Sequence, residues 1–188
     1  MYDIVIVGGG PTGGSAALFA SKAGKKTLVI DNQKSVTKKA WMDNHYGVDG
    51  ISGPDLLEVG KKQAVKFGTE WVEGEVSDIQ TDGDKQTVYT EDGNTYEATH
   101  VILATGMVAA LAEKIGVRTI PGTEPRIKTI IDVNAEGQTN KKGIWAAGTI
   151  AGVSMHTIIT AGDGAKVAIN IISEINGERY VDHDILKG

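Results

Sequence analysis

Three glycines spaced Gly8-x-Gly10-x-x-Gly13 have the clearest chemical purpose in this sequence, and that purpose is holding phosphate. The first permits a tight turn. The second removes a side chain where a pyrophosphate must approach the backbone, and the third lets a helix pack closely on the preceding strand. A helix opening at such a turn offers unpaired N–H groups and its positive dipole end to an anion. Asp31 ends the next apolar run, where a carboxylate accepts ribose hydroxyls. An acidic residue there favours a free ribose hydroxyl over a 2′-phosphate, so FAD or NAD fits better than NADP.

Other reactive groups are sparse. There is no cysteine among the 188 residues, which removes disulfides, thiolate metal sites and any cysteine relay within this chain. Asp182-His183-Asp184 has the residue types of a metal site but stands in a polar tail without further ligands, so no metal is expected. Ala147-Gly148-Thr149 lacks the serine of a nucleophile elbow. His156, at the start of a long helix, is the histidine whose charge would matter near neutral pH. His45 reads as structural or exposed, and His100 as flanking a strand. Trp41 and Trp145 are candidates to abut an aromatic cofactor, although burial is the commoner reason for such residues.

The elements that must position these groups follow from hydrophobic periodicity. Ile4 to Val7 is a short β-branched run that suits a strand buried on both faces. Gly13 to Gly24 reads as a helix rich in alanine, and Thr27 to Ile30 as a second buried strand, giving a β-α-β unit. Residues 32–52 are polar and irregular. Ser52-Gly53-Pro54-Asp55 starts a helix that stops near Gly68. Three strand-like segments follow, at about 70–80, 85–91 and 94–104, separated by Asp82-Gly83 and Asp92-Gly93 turns. Beyond a short helix from Ala109 to Ile115, Gly143 to Ala147 forms another strand. A helix from about His156 or Thr157 to Gly177 is apolar around much of its circumference and should be well buried.

The composition is that of a soluble globular chain, with 40% hydrophobic and 23% charged residues. A net charge of -5 and isolated lysine pairs give no clustered basic surface for nucleic acid. No apolar run approaches the roughly 20 residues that span a bilayer, and no signal-peptide pattern is present, so no membrane association and a cytoplasmic location are expected.

With these pieces in order, the chain resembles the FAD domain of the thioredoxin reductase-like pyridine nucleotide-disulfide oxidoreductases. The matching segments are Gly8 to Gly14, Asp31, Asp43 to Gly47 with Gly50 to Leu56, Ala104-Thr105-Gly106, and Gly143 to Gly148 with Ala161-Gly162. The resemblance implies an α/β, Rossmann-like FAD-binding fold: a central parallel sheet with helices and a three-stranded antiparallel meander. It also implies that Gly8, Gly10, Pro11, Thr12 and Gly13 hold the pyrophosphate. Asp31 would take the adenosine ribose, with Asn32 and Gln33 lining its pocket, and Glu75 and Val76 would meet the adenine. Asn44 would lie near the flavin, Ala104, Thr105 and Gly106 beneath the cofactor, and Gly148 and Thr149 at the ribityl chain. His156 and Thr157 would open the helix aimed at the flavin edge. Family members pair through this domain, so a homodimer is implied as well.

The departures from that family narrow the expectation. Gly148-Thr149 stands where the family has Gly-Asp, and Met155-His156-Thr157 where it has Arg-Gln-Ala. The redox cysteines are missing. Residues 107–142 are too few for the NADPH domain that interrupts the family at this point, since such a domain needs on the order of 100 residues. The expectation is one FAD-binding domain over 1–188, its parts 1–106 and 107–188 joined without an insert. It would depend on an external electron donor or acceptor (free nicotinamide, a small acceptor or a partner protein) and could not reduce disulfides itself. A noncatalytic flavin-binding sensor or assembly module, and a plain NAD-binding domain, are the alternatives.

Overall fold

A computed structural model describes residues 1–186. Its centre is a parallel sheet built outward from β1 (Tyr2–Val7), whose neighbours are β2 (Thr27–Asp31) on one side and β8 (Thr95–Leu103) on the other. Beyond β2 lies β5 (Glu70–Glu73), and beyond the end of β8 lies β11 (Ile144–Ala146), both parallel to their neighbours. The first half of β8 instead pairs antiparallel with β7 (Lys85–Thr90), which pairs with β6 (Val76–Asp82). One edge of β8 is thus shared between the meander and the parallel sheet. The expected α/β fold, with its parallel sheet and three-stranded meander, is the fold observed.

Alternation along β1 explains why this sheet is covered on both sides. Val5 and Val7 face a core with Leu28, Ile30, Val88 and Leu103, over which the meander and α3 (Ala110–Lys114) fold. Ile4 and Ile6 face the opposite core, with Ala16, Ala17 and Ala20 of α1 (Pro11–Lys22) and Val167, Ala168 and Ile171 of α4 (Thr157–Asn176). The small side chains of α1 let it sit close to both the sheet and α4. α2 (Gly53–Lys66) packs on the other flank of α1. Ser52 caps α2, its Oγ accepting the Asp55 N–H at 3.2 Å.

Several local expectations are corrected. The segment 70–80 is not one strand: β5 and β6 break at Gly74-Glu75 and lie at opposite ends of the strand order. Both halves are apolar enough for either site, and only the partners available, β2 and β7, separate them. α1 begins at Pro11 rather than Gly13, because proline's fixed φ suits the first helical position. The irregular stretch 32–52 holds a small antiparallel pair, β3 (Trp41–Met42) with β4 (Ile51–Ser52). The loop before β11 carries another, β9 (Thr119–Pro121) with β10 (Thr129–Ile131). α4 is less buried than its composition suggests, with Ile158, Ile159 and Ile175 on the surface. Trp145 is a core residue, 3% exposed, whereas Trp41 is 66% exposed and donates its indole N–H to Asp43. Asp182 and Asp184 both pair with Lys22 of α1, which ties the tail down.

The turn after β1 is set by contacts that leave no room for side chains. Gly8 has a φ of +108° and a Cβ there would enter the Ala104 carbonyl; a Cβ on Gly13 would enter the carbonyl of Gly8. Gly13→Ala should therefore cost about 3 kcal/mol or more by forcing α1 off β1. Chemical denaturation of the apoprotein checks it, and a loss under about 0.5 kcal/mol would contradict this packing.

Candidate functional site

β1 is the point where the strand order reverses, since the chain builds β2 to one side and β8 to the other. A crevice must open beyond the carboxyl ends of these strands, because the following connections diverge. The structure has a cleft of about 880 Å³ there. The segments leaving β1, β2 and β8 all reach it, as does the turn after β11. Gly8, Gly10, Pro11 and Thr12 form one wall, Asp31 and Asn32 another, and Ala104, Thr105 and Gly106 a third. Glu75 and Val76 lie towards one end, and Thr149 and Thr157 also line the cleft. Thirteen of the eighteen residues singled out from the sequence therefore share one cavity.

The remaining five are placed otherwise. Gly13 lies beneath the turn, packed against Gly8. Gly148 is buried behind Thr149, its φ of +80° turning the chain and its hydrogen side set against Thr12. Gln33 braces Asp31: its backbone N–H and side-chain amide donate to the two carboxylate oxygens at 3.0 and 3.1 Å. Asn44 is exposed and outside the lining. His156 is exposed too, its Nδ1 2.8 Å from Ser154 Oγ, and it lies outside the lining.

Sequence reasoning missed part of the lining. Ser35, Val36 and Thr37 come from the irregular stretch, and Met107, Leu111 and Lys114 from the segment after Gly106. None belongs to a motif, and only the sheet's closure brings them in. The buried carboxylate of Asp163 was also missed. It stands in α4 behind the cleft, where Oδ2 accepts the Gly148 N–H at 2.8 Å and Oδ1 pairs with Lys166 at 2.6 Å.

Charge in the site is organised by hydrogen bonds. Asp31, 8% exposed, also accepts the Gly9 N–H at Oδ1, 3.3 Å away, so its carboxylate is fixed between the glycine turn and Gln33. Lys34 Nζ, 2.7 Å from Glu75, is the main reason that carboxyl titrates below its usual range, and the Asn32 amide adds to the effect. The N-termini of α1 and α4 open on the cleft and neither receives a side-chain cap, in contrast to α2. Beyond the N–H groups that the Gly10 and His156 carbonyls accept from Gly14, Ile159 and Thr160, the first N–H groups of a helix lack the intrahelical partners of its interior. Two positive dipole ends and a set of hydroxyls beside a fixed carboxylate suit an anionic nucleotide with a ribose.

Removing the Asp163 carboxylate strands a buried N–H. Asp163→Ala should lower stability by about 2 kcal/mol, while Asp163→Asn, which keeps an acceptor for Gly148, should lose clearly less. Urea midpoints of the two variants check this ordering; equal losses would contradict the role of the Gly148 bond.

Known proteins share both sequence and fold with this chain. The family described as pyridine nucleotide-disulphide oxidoreductase matches residues 4–165. Thioredoxin reductase from Aquifex aeolicus is 39% identical over 112 residues, which cover 56% of this chain and 34% of that protein. Thioredoxin reductase from Peptoclostridium acidaminophilum is 36% identical over 126 residues, 65% of this chain and 40% of that one. The matched region thus spans only about a third of the first of these relatives. Among solved structures, the atypical thioredoxin reductase TRi from Desulfovibrio vulgaris Hildenborough has a TM-score of 0.82 at 19% identity, covering 95% of this chain and 99% of that chain. An oxidoreductase from Agrobacterium tumefaciens has a TM-score of 0.83 at 17% identity, covering 94% and 99%. At such identities the likeness establishes the fold alone. The family match, however, extends from β1 into the first half of α4, a range that includes both turns at the cleft, so this chain belongs to the pyridine nucleotide-disulphide oxidoreductase family, as a thioredoxin reductase-like domain.

Proposed function

We propose that residues 1–188 act as one FAD-binding oxidoreductase domain that exchanges electrons with an external donor or acceptor. The observation that carries this reading is the pair of uncapped helix N-termini, α1 and α4, opening on one cleft beside the braced carboxylate of Asp31. The residues present fit the cofactor that the family implies. The backbone of Gly8 to Gly13 with the start of α1 would hold the pyrophosphate, Asp31 the ribose hydroxyls, and Asn32, Glu75 and Val76 the adenine end. Ala104 to Gly106, Thr149 and Thr157 would enclose the flavin end. FAD supplies the electron-transfer chemistry when bound.

The chain's own residues bind, orient and tune. Gly10 admits the pyrophosphate because nothing but Ser35 stands near the place of its missing side chain. The α1 and α4 dipoles favour negative charge at the two helix starts. Thr149 offers a neutral hydroxyl where the resembling family carries a carboxylate.

The external partner is inferred from what the chain contains. With no cysteine among its 188 residues, it has no thiol with which to reduce a disulfide. Residues 107–142 form α3, the β9–β10 pair and loops, and they extend the core on the meander side. A free nicotinamide, a small acceptor or a partner protein would have to meet the cofactor from outside. No helix among the described residues is long and apolar enough to cross a membrane.

Two substitutions test the cofactor assignment. Gly10 has an ordinary φ of −71° and only the Ser35 hydroxyl within reach of a new Cβ. Gly10→Val should therefore fold while losing FAD by blocking the pyrophosphate; a variant loaded with one FAD per chain would overturn the placement. Thr149→Asp should tighten FAD retention about tenfold, the scale of one charge-assisted hydrogen bond. Dissociation rates followed by flavin fluorescence read this, and unchanged or weaker retention would count against Thr149 at the ribityl chain. Wild-type protein that is colourless and is not reconstituted by excess FAD would sink the whole reading.

A further inference from the structure

The residue at the cofactor end with the most to say is His45 rather than His156. His45 lies in the loop between β3 and β4, and its Nδ1 is 3.0 Å from the Oγ1 of Thr157. Thr157 is the first residue of α4 and part of the cleft wall. The loop 43–50 has no other side-chain hydrogen bond to α4 among the described residues. The imidazole is partly exposed and also borders a smaller hollow of about 200 Å³ with Gly9, Gly10, Ser15 and Lys61, so protons can reach it from solvent.

We propose that His45 is a positioning residue that sets, through its protonation, the direction of the Thr157 hydroxyl towards a cofactor in the cleft. A neutral ring with its proton on Nε2 can only accept at Nδ1, which draws the hydroxyl hydrogen away from the cleft. A charged ring must donate at Nδ1, which leaves that hydrogen free to point into the cleft as a donor. The protonated state therefore adds a hydrogen-bond donor at the uncapped start of α4, where reduction of a flavin would add negative charge. Histidine is the side chain suited to such a change near neutral pH.

The charged and titratable groups around His45 are few. Lys61 of α2 borders the same hollow, His156 precedes Thr157 on α4, and Asp43, Tyr46 and Asp49 belong to its own loop. His156 is bonded to Ser154 and Asp43 to Trp41, so neither competes for Thr157. The proposal rests on the FAD reading above.

The test compares FAD-loaded wild type, His45→Phe, His45→Gln and Thr157→Val. The midpoint potential of bound FAD is measured by dye equilibration at about pH 5.5 and about pH 8.5, either side of the range in which histidine titrates. At the alkaline pH, wild type should prefer reduced over oxidised FAD about fivefold less than His45→Phe does, the scale of one hydrogen bond, because the neutral imidazole withholds the Thr157 hydrogen that phenylalanine leaves free. At the acid pH the two should coincide. His45→Gln, whose side chain does not titrate, should show no pH-dependent gap from His45→Phe, and in Thr157→Val the identity of residue 45 should cease to matter. A merely structural role would shift the potential equally at both pH values, and that result would overturn the proposal. So would loaded variants that track wild type throughout, or a gap that persists in Thr157→Val. Wild type that takes up no FAD at all would instead bring down the cofactor reading, and this proposal with it.

Discussion

Thr12 is where the molecule's distant segments meet, and it can do so only because its neighbours lack side chains. A Cβ on Gly148 would enter the Thr12 side chain, and one on Gly164 would enter its backbone carbonyl. Thr12 lies at the start of α1, Gly148 follows β11, and Gly164 is two turns into α4. The first turn of α1 is thereby clamped between a turn and a helix more than a hundred residues away in sequence. The clamp fixes the aim of α1's free N–H groups. It also sets how near α4 can come, and hence where Thr149 and Thr157 stand.

The same economy of volume recurs along the sheet. Ala16, Ala17 and Ala20 present a nearly flat surface to β1, and Ile171 and Val167 of α4 fill the space beside it. α4 can then open on the cleft from the side opposite α1. Asp163 completes the arrangement by holding the Gly148 N–H from behind, which leaves Thr149 to face inward. Close packing therefore does electrostatic work, because it lets two dipole ends converge on one volume.

The glycine turn, Asp31, Ala104-Thr105-Gly106 and Gly148-Thr149 were legible because each stands beside a strongly apolar strand with an obvious end. Ser35, Val36 and Thr37 were not, since a polar stretch without periodicity carries no direction. The split of 70–80 into β5 and β6 was hidden for a related reason: strand propensity is local, whereas the choice of neighbour is made by the sheet. Which partners the histidines reach was not legible, because nearness to a helix start says nothing about where a ring turns. His156 turns to Ser154, while His45, in a loop, reaches Thr157 across 112 positions.

By itself the amino-acid order determined that a strand, a glycine turn and a helix would follow one another, that an acidic residue would stand at the next strand end, and that no thiol would be at hand. Those features depend on neighbours within a few residues and on backbone stereochemistry. Tertiary structure alone decided which hydroxyls line the cleft, which carboxylate lies behind it, and which histidine touches its wall. Such contacts form only when segments far apart in the chain are brought together by the core, and no local pattern records them.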